Sequence, residues 1–149
     1  MRFTNYDHKE LEPEVLEYWN SKKILDKLRE KNKEGKKWTF LQGPPYTSGK
    51  VHIATAWNTS LKDLAVRYKR SQGFNVWDRN GFDVHGLPTA HKVMAKHNLK
   101  TKEDIEKFGL DKFMKGCKEH ALAMGEDMSK VFKRIGVTLD YSDSYMALK

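Results

Sequence analysis

The eleven residues Gly43-Pro-Pro-Tyr-Thr-Ser-Gly-Lys-Val-His-Ile53 constrain this chain most, because a β-rich apolar run leads into them and a helical pattern leads out. Upstream, Trp38-Thr-Phe-Leu41 reads as a short strand. Downstream, from Ala54 to Arg70, the residues Ala54, Trp57, Leu61, Leu64, Ala65 and Tyr68 recur at the three- and four-residue steps of an amphipathic helix. Pro44 and Pro45 fix φ and bias the residues before them toward extended backbone, and Ser48-Gly49 is a turn signal just ahead of the helix. A strand that passes into a helix this way points free N–H groups and the positive end of the helix dipole above the sheet, which suits a polyphosphate. His52, at the helix start, has two readings: it hydrogen-bonds a phosphate oxygen as charge develops there, or it merely caps the helix while Gly49 makes a turn. The loop is not the Gly-rich G-x-x-x-x-G-K-[ST] element, since Val51 follows Gly49-Lys50.

Around this junction the pattern predicts a helix, then a β-α-β unit, then more helix. Glu14 to Lys33 places Val15, Leu16, Tyr18, Trp19, Ile24, Leu25 and Leu28 mainly on one stripe, with Pro13 at a favoured starting position. Residues 32–37 form a polar break containing Gly35. Strand Trp38 to Leu41, helix Ile53 to Ser71 and strand Phe74 to Trp77 make one crossover unit whose strands are expected to be parallel. A third strand is signalled near Val137 to Leu139. From Lys112 onward, Phe113, Cys117, Ala121, Met124, Met128, Val131, Phe132 and Ile135 recur at helical steps and read as core. With 149 residues, no repeats and no low-complexity linker, one α/β domain is expected.

Charge narrows the partners only loosely. Lys plus Arg number 28 against 20 for Asp plus Glu, a net charge of +8, which favours an acidic partner. The basic residues are dispersed, however, and a solvated helix face accounts for most of them. One cysteine, Cys117, excludes an internal disulfide framework, and it forms no zinc-like spacing with the six histidines. Nor does any apolar run approach the ~20 residues needed to span a membrane. Met1-Arg-Phe-Thr-Asn-Tyr-Asp-His has no apolar signal region, so a cytoplasmic protein is expected.

Three ordered blocks carry a family resemblance. The first loop resembles the first signature, P-x-x-x-x-x-H-I-G-H, of class I aminoacyl-tRNA synthetases, and Gly43-Pro-Pro-Tyr46 with Ala56-Trp57-Asn58 and Lys62-Asp63 resembles the isoleucyl branch in its archaeal form. Gly81-Phe-Asp-Val-His-Gly-Leu-Pro88 resembles the G-W-D-x-H-G-L-P segment of the isoleucyl, valyl and leucyl group. Gly136-Val-Thr-Leu-Asp-Tyr-Ser-Asp-Ser-Tyr145 resembles the stretch before the editing insertion. The likeness runs from about Tyr6 to the last residue. It implies the first half of a Rossmann-like catalytic domain: parallel strands with flanking helices and an N-terminal helix. The second, lysine-rich signature K-M-S-K-S has no counterpart here; Met128-Ser129-Lys130 lies in a helical pattern and lacks the flanking residues.

The resemblance also implies chemistry and assigns residues to it. Attack of the isoleucine carboxylate on the α-phosphate of ATP would give isoleucyl-adenylate and pyrophosphate, followed by transfer to tRNA. Magnesium would accompany the triphosphate. His52 would be the catalytic residue that assists the phosphates. Gly43, Pro44, Gly49, His52, Ala54 and Thr55 would form the ATP site, and Pro45, Tyr46, Asp83 and His85 the amino-acid site. Read without the resemblance, Asp83 between Gly81 and Gly86 is equally a turn-former.

Several positions depart from the family pattern. Ala54 replaces the glycine of H-I-G-H, where a methyl group fills space expected for adenine and costs ~1–3 kcal/mol if neighbours cannot relax. Thr55 stands for the second histidine, Phe82 for Trp and Ala90 for a Glu. Asn80 replaces Pro or Ala, and Tyr141 and Ser144 replace Trp and Pro. Three readings therefore stay open. The chain is a fragment or minimal version of such a synthetase, weak or inactive alone and binding tRNA weakly if at all. Or it is a noncatalytic module that binds RNA or a protein. Or it is half a fold that needs its complementary half for stability.

Overall fold

A break at Lys23 divides what the hydrophobic pattern presents as one N-terminal helix. The computed structural model, which describes residues 6–84 and 86–148, has α1 (His8–Ser21) and α2 (Ile24–Lys31) in place of a single helix from Glu14 to Lys33. Lys22 and Lys23 donate back to Tyr18 and Asn20, closing α1, and Lys23 takes a left-handed conformation at φ 49°. Apolar spacing carries across such a break, so periodicity alone does not locate it. Pro13 likewise lies inside α1 rather than at its start; Asp7 caps the helix instead, accepting from the Lys9 N–H at 2.8 Å.

The remaining elements are β1 (Lys37–Leu41), α3 (Ile53–Ser71), β2 (Asn75–Phe82), α4 (Leu87–Lys96), α5 (Lys102–Phe108), α6 (Leu110–Arg134) and β3 (Asp140–Met146). The expected β1–α3–β2 crossover is present, with β1 and β2 parallel and in register from Lys37 beside Asn75 to Leu41 beside Arg79. β3 adds in parallel to β2, giving the order β1-β2-β3. Two strand boundaries differ from expectation. β2 runs on to Phe82 instead of ending at Trp77, so the second block, from Gly81, begins within the strand. The third strand is Asp140–Met146, while Val137 and Leu139 enter the core ahead of it. The apolar run marks burial there, and pairing with β2 is made by Asp140, Tyr145 and Met146, which follow it.

Val66, Val76, Phe82, Val84, Ala121, Met128, Phe132, Val137 and Leu139 form the core, with Trp38 and Phe40 packed against it. Full burial of each larger side chain contributes about 1.5–3 kcal/mol. α6 supplies its predicted stripe through Phe113, Ala121, Met128 and Phe132, although Val131 and Ile135 remain exposed.

α3 is inverted relative to its sequence pattern. The apolar stripe Trp57, Leu61, Leu64 and Tyr68 faces outward, each 57–68% exposed, whereas Thr59, Asp63, Val66 and Arg70 are buried. The buried polar groups hold the segment before β3. Asp63 Oδ1 accepts from the Thr138 N–H at 2.8 Å and from its hydroxyl at 2.6 Å, and Arg70 donates to the Thr138 hydroxyl at 2.7 Å and its carbonyl at 3.1 Å. Arg70 also pairs with buried Asp78 of β2. Loop backbone that must be satisfied in the interior thus takes the polar face of α3.

Candidate functional site

Two short loops meet at the ends of β1 and β2. Tyr46 and Asp83 form an isolated parallel bridge, in which the Asp83 N–H donates to the Pro45 carbonyl at 2.9 Å and the Thr47 N–H to the Asp83 carbonyl at 3.0 Å. Thr47, fully buried, adds its hydroxyl to the same carbonyl at 3.3 Å. The first and second sequence blocks are therefore joined by backbone hydrogen bonds. Pro44 packs near Gly81, where an added Cβ would lie 3.6 Å from the Pro44 Cβ and 3.4 Å from that of Tyr145.

At the far end of the first loop, His52 is the N-cap of α3. Its Nδ1 accepts from the Thr55 N–H at 3.4 Å, and its Nε2 lies 3.1 Å from the Thr55 hydroxyl. The capping geometry is thus realised, and the ring stays exposed at the mouth of a 250 Å³ cavity. Gly43, Pro45, His52, Ala54 and Thr55 line that cavity. Gln42, Asn58, Thr59 and Lys62 line it as well. Lys62 Nζ donates to the Gly43 carbonyl at 3.2 Å, and partial burial lowers its pKa from the ordinary lysine value. Gln42 is 1% exposed, yet neither polar atom of its carboxamide has a hydrogen-bond partner. Leaving such a group unmet costs about 1–3 kcal/mol.

These features combine an open helix N-terminus, an imidazole at its first turn and a neutral polar floor. Gly49 is neither at positive φ nor crowded, since a Cβ there would meet nothing within 4 Å. No backbone demand explains that glycine. A larger cleft of 610 Å³ lies elsewhere, between α1, α2 and the end of α6, away from both loops. The small cavity, not the large one, sits where open α/β sheets receive ligands, at the carboxyl ends of the strands.

A family model of class I tRNA synthetases (I, L, M and V) matches residues 14–149. The chain belongs to the class I tRNA synthetases. Among its relatives in that family, the isoleucine–tRNA ligase of Pyrococcus abyssi is 45% identical over 148 residues, covering 99% of this chain and 14% of that protein. The isoleucine–tRNA ligase of Archaeoglobus fulgidus is 44% identical over 144 residues, covering 97% and 14%. This synthetase chain therefore spans about one seventh of the length of the curated relatives it matches. Its fold also resembles the leucyl enzyme in a ternary complex of Agrobacterium radiobacter K84 agnB2 LeuRS with tRNA and LeuAMS, with a TM-score of 0.72 at 22% identity, over 97% of this chain and 16% of that one. Three parallel strands with flanking helices agree with the Rossmann-like fold of the family.

Of the residues the sequence points to, the structure gathers Gly43, Pro45, His52, Ala54 and Thr55 around one cavity. Tyr46 and Asp83 are held beside each other through the loop bridge, outside that cavity's lining. Pro44 lies against Gly81, Gly49 is open to solvent space, and His85 falls outside the described residues. Gln42, Asn58, Thr59 and Lys62 were not among the expected site residues. Helical spacing from Thr55 (three, four and seven residues on) places the last three on one side of α3, and that spacing was the available signal. Among the described residues no cluster of three or more His, Cys, Asp or Glu is arranged to hold a metal ion, and no helix is long and apolar enough to cross a membrane.

Proposed function

We propose that the cavity between β1 and α3 binds ATP and that the adjoining Pro45–Tyr46–Asp83 bridge receives isoleucine, for formation of isoleucyl-adenylate in the cytoplasm. The observation that carries this reading is the pairing of Pro45 and Thr47 with Asp83, which fixes the amino-acid loop next to the loop that opens α3. Phosphates at the start of α3 would meet its free N–H groups, its dipole and His52. Asp83 would hold the ammonium group. No covalent nucleophile is required; the carboxylate attacks phosphorus in line and pyrophosphate leaves, so the work lies in positioning and charge stabilisation. Magnesium would enter with the triphosphate, because the cavity lining contains no carboxylate.

The chain is read as the first half of a catalytic domain, and its partner as the half that brings the lysine-rich signature. β1 is an edge strand, its neighbour α3 carries an uncovered apolar stripe, and Leu41 and Trp77 are 62% and 52% exposed on the sheet. A second half that adds a strand beside β1 would cover them.

Isoleucine-dependent ATP–pyrophosphate exchange tests the proposal. It is to be measured on the chain alone and after addition of the remainder of the Pyrococcus abyssi catalytic domain. Exchange is expected with the added half, weak or absent without it, and reduced about 10²-fold by His52→Ala. No exchange in either setting, together with no ATP binding at millimolar concentration, would refute it.

A noncatalytic RNA-binding role is the second reading, favoured by Lys23, Arg29, Lys130, Lys133 and Arg134 around the 610 Å³ cleft. Three of these are engaged internally: Arg29 with Asp26 and Asp78, Lys130 with Asp127, and Arg134 with Glu12. Salt-sensitive tRNA binding that survives both His52→Ala and Asp83→Ala would move this reading to first place.

A further inference from the structure

We propose that the pocket between α2 and the end of α3 binds a small amphiphilic monocarboxylate, its apolar body lying against Ile24, Leu25 and Leu28 and its head group meeting Arg70. The pocket is at the opposite end of α3 from His52, and the inference does not rest on the reading given to the two loops.

An amphipathic helix normally seals its apolar stripe against the body of the protein, and α2 does not. None of its residues is buried, and Leu28 is 38% exposed. Between that stripe and α3 lies an open space of 360 Å³, within the range of about 300–1,000 Å³ usual for small-molecule sites. Trp19 of α1 forms a further wall, fixed by the Arg67 guanidinium 5.2 Å from its ring centroid. An indole and three aliphatic side chains around one space gain by taking an apolar occupant in place of water.

The polar side of the pocket selects the charge. Lys31, Arg67 and Arg70 line it, and among the described residues no carboxylate does. The carboxylates that answer the two arginines are outside the lining and already engaged: Asp78 is shared by Arg70 and Arg29, and Asp63 is held by Arg67 and by Thr138. Arg70 is buried; its Nη1 and Nη2 donate to Thr138 and Asp78, while its Nε has no partner. A buried guanidinium with one donor unserved is met best by a carboxylate oxygen. The Arg70 carbonyl, which would draw a cation to this end of the helix, is taken by the Asn32 side-chain amide at 2.8 Å.

The test is a calorimetric titration of the 149-residue chain with octanoate, octanol and acetate, with amide shift mapping to place the binding. Octanoate is expected to bind about tenfold more tightly than octanol, as one charge-assisted hydrogen bond implies, with acetate too weak to detect. The shifts should centre on Trp19, Leu28 and Ser71. Lys31→Glu, at an exposed position, should weaken octanoate about threefold and leave octanol unchanged. Leu28→Trp, which fills the space, should weaken both by about tenfold. Equal affinity for octanoate and octanol overturns the proposal, since the pocket would then select no charge. Shifts centred on Tyr46 and Asp83 overturn it too, as does the absence of binding at millimolar octanoate. If Leu28→Trp fails to fold, an octanoate affinity unmoved by Lys31→Glu overturns it by itself.

Discussion

The side-chain amide of Asn80 on β2 donates to the Ser144 hydroxyl on β3 at 3.3 Å, inside the protein. Both residues stand where the resembling family carries others, and in the fold they face each other. Replacing Ser144 by Ala strands a buried amide, whereas replacing both partners removes the demand together with its answer. A double-mutant cycle of Asn80→Ala and Ser144→Ala, followed by urea unfolding, should therefore give a coupling of about 0.5–1.5 kcal/mol, the double variant being more stable than the sum predicts. Simple additivity would mean that the two departures are independent.

Asp78 is the partner of buried Arg70, and Arg29 reaches the same carboxylate at 3.3 Å. Asp78→Asn leaves Arg70 charged in the interior, and a loss of about 3–5 kcal/mol is expected. The pair Arg79–Asp143 makes the contrast, because Asp143 is 70% exposed; Asp143→Asn should cost at most ~1 kcal/mol. Equal losses in urea denaturation would contradict the distinction.

The outward stripe of α3 gives a prediction of opposite sign from the usual one for apolar helix positions. Leu61→Gln with Leu64→Gln should leave stability within about 0.5 kcal/mol and reduce self-association in sedimentation velocity. Val66→Ala, on the buried side of the same helix, should cost about 2 kcal/mol. A large loss from the double Leu variant would show that the stripe is covered in the isolated chain.

Cys117 on α6 is partly buried, and burial pushes its thiol above the ordinary value. A raised folded value favours the neutral thiol, so that contribution to stability is present below the free-thiol pKa and is lost as pH rises through the raised one. Alkylation by iodoacetamide should be slower than for free cysteine near pH 8.5, with its midpoint displaced to higher pH. A midpoint at or below the free-thiol value would be incompatible with this placement.

What could be read from the sequence follows from what each signal measures. The strand–loop–helix junction was legible because Pro44, Pro45 and the pattern after Ile53 act locally, and α6 was legible because its stripe is buried on one side. The face that α3 buries was not. Trp57, Leu61, Leu64 and Tyr68 have core-like spacing, but no element among the described residues covers them, and the polar side is claimed by Thr138 instead. The end of β2 was missed because the apolar run stops at Trp77, although Gly81 and Phe82 still pair with Tyr145 and Met146 of β3. The hydrogen bond from Asp83 to Pro45 joins residues 38 positions apart, which local spacing cannot announce.

Amide shift mapping tests the central claim most directly. Isotope-labelled chain is titrated with ATP and magnesium, and the perturbed resonances are placed on the structure. The account predicts that the largest shifts fall at Gln42, Gly43, His52, Thr55 and Thr59, and that His52→Ala weakens them. Shifts centred instead on Trp19, Lys133 and Tyr141 at the larger cleft, or none at millimolar ATP, would contradict it.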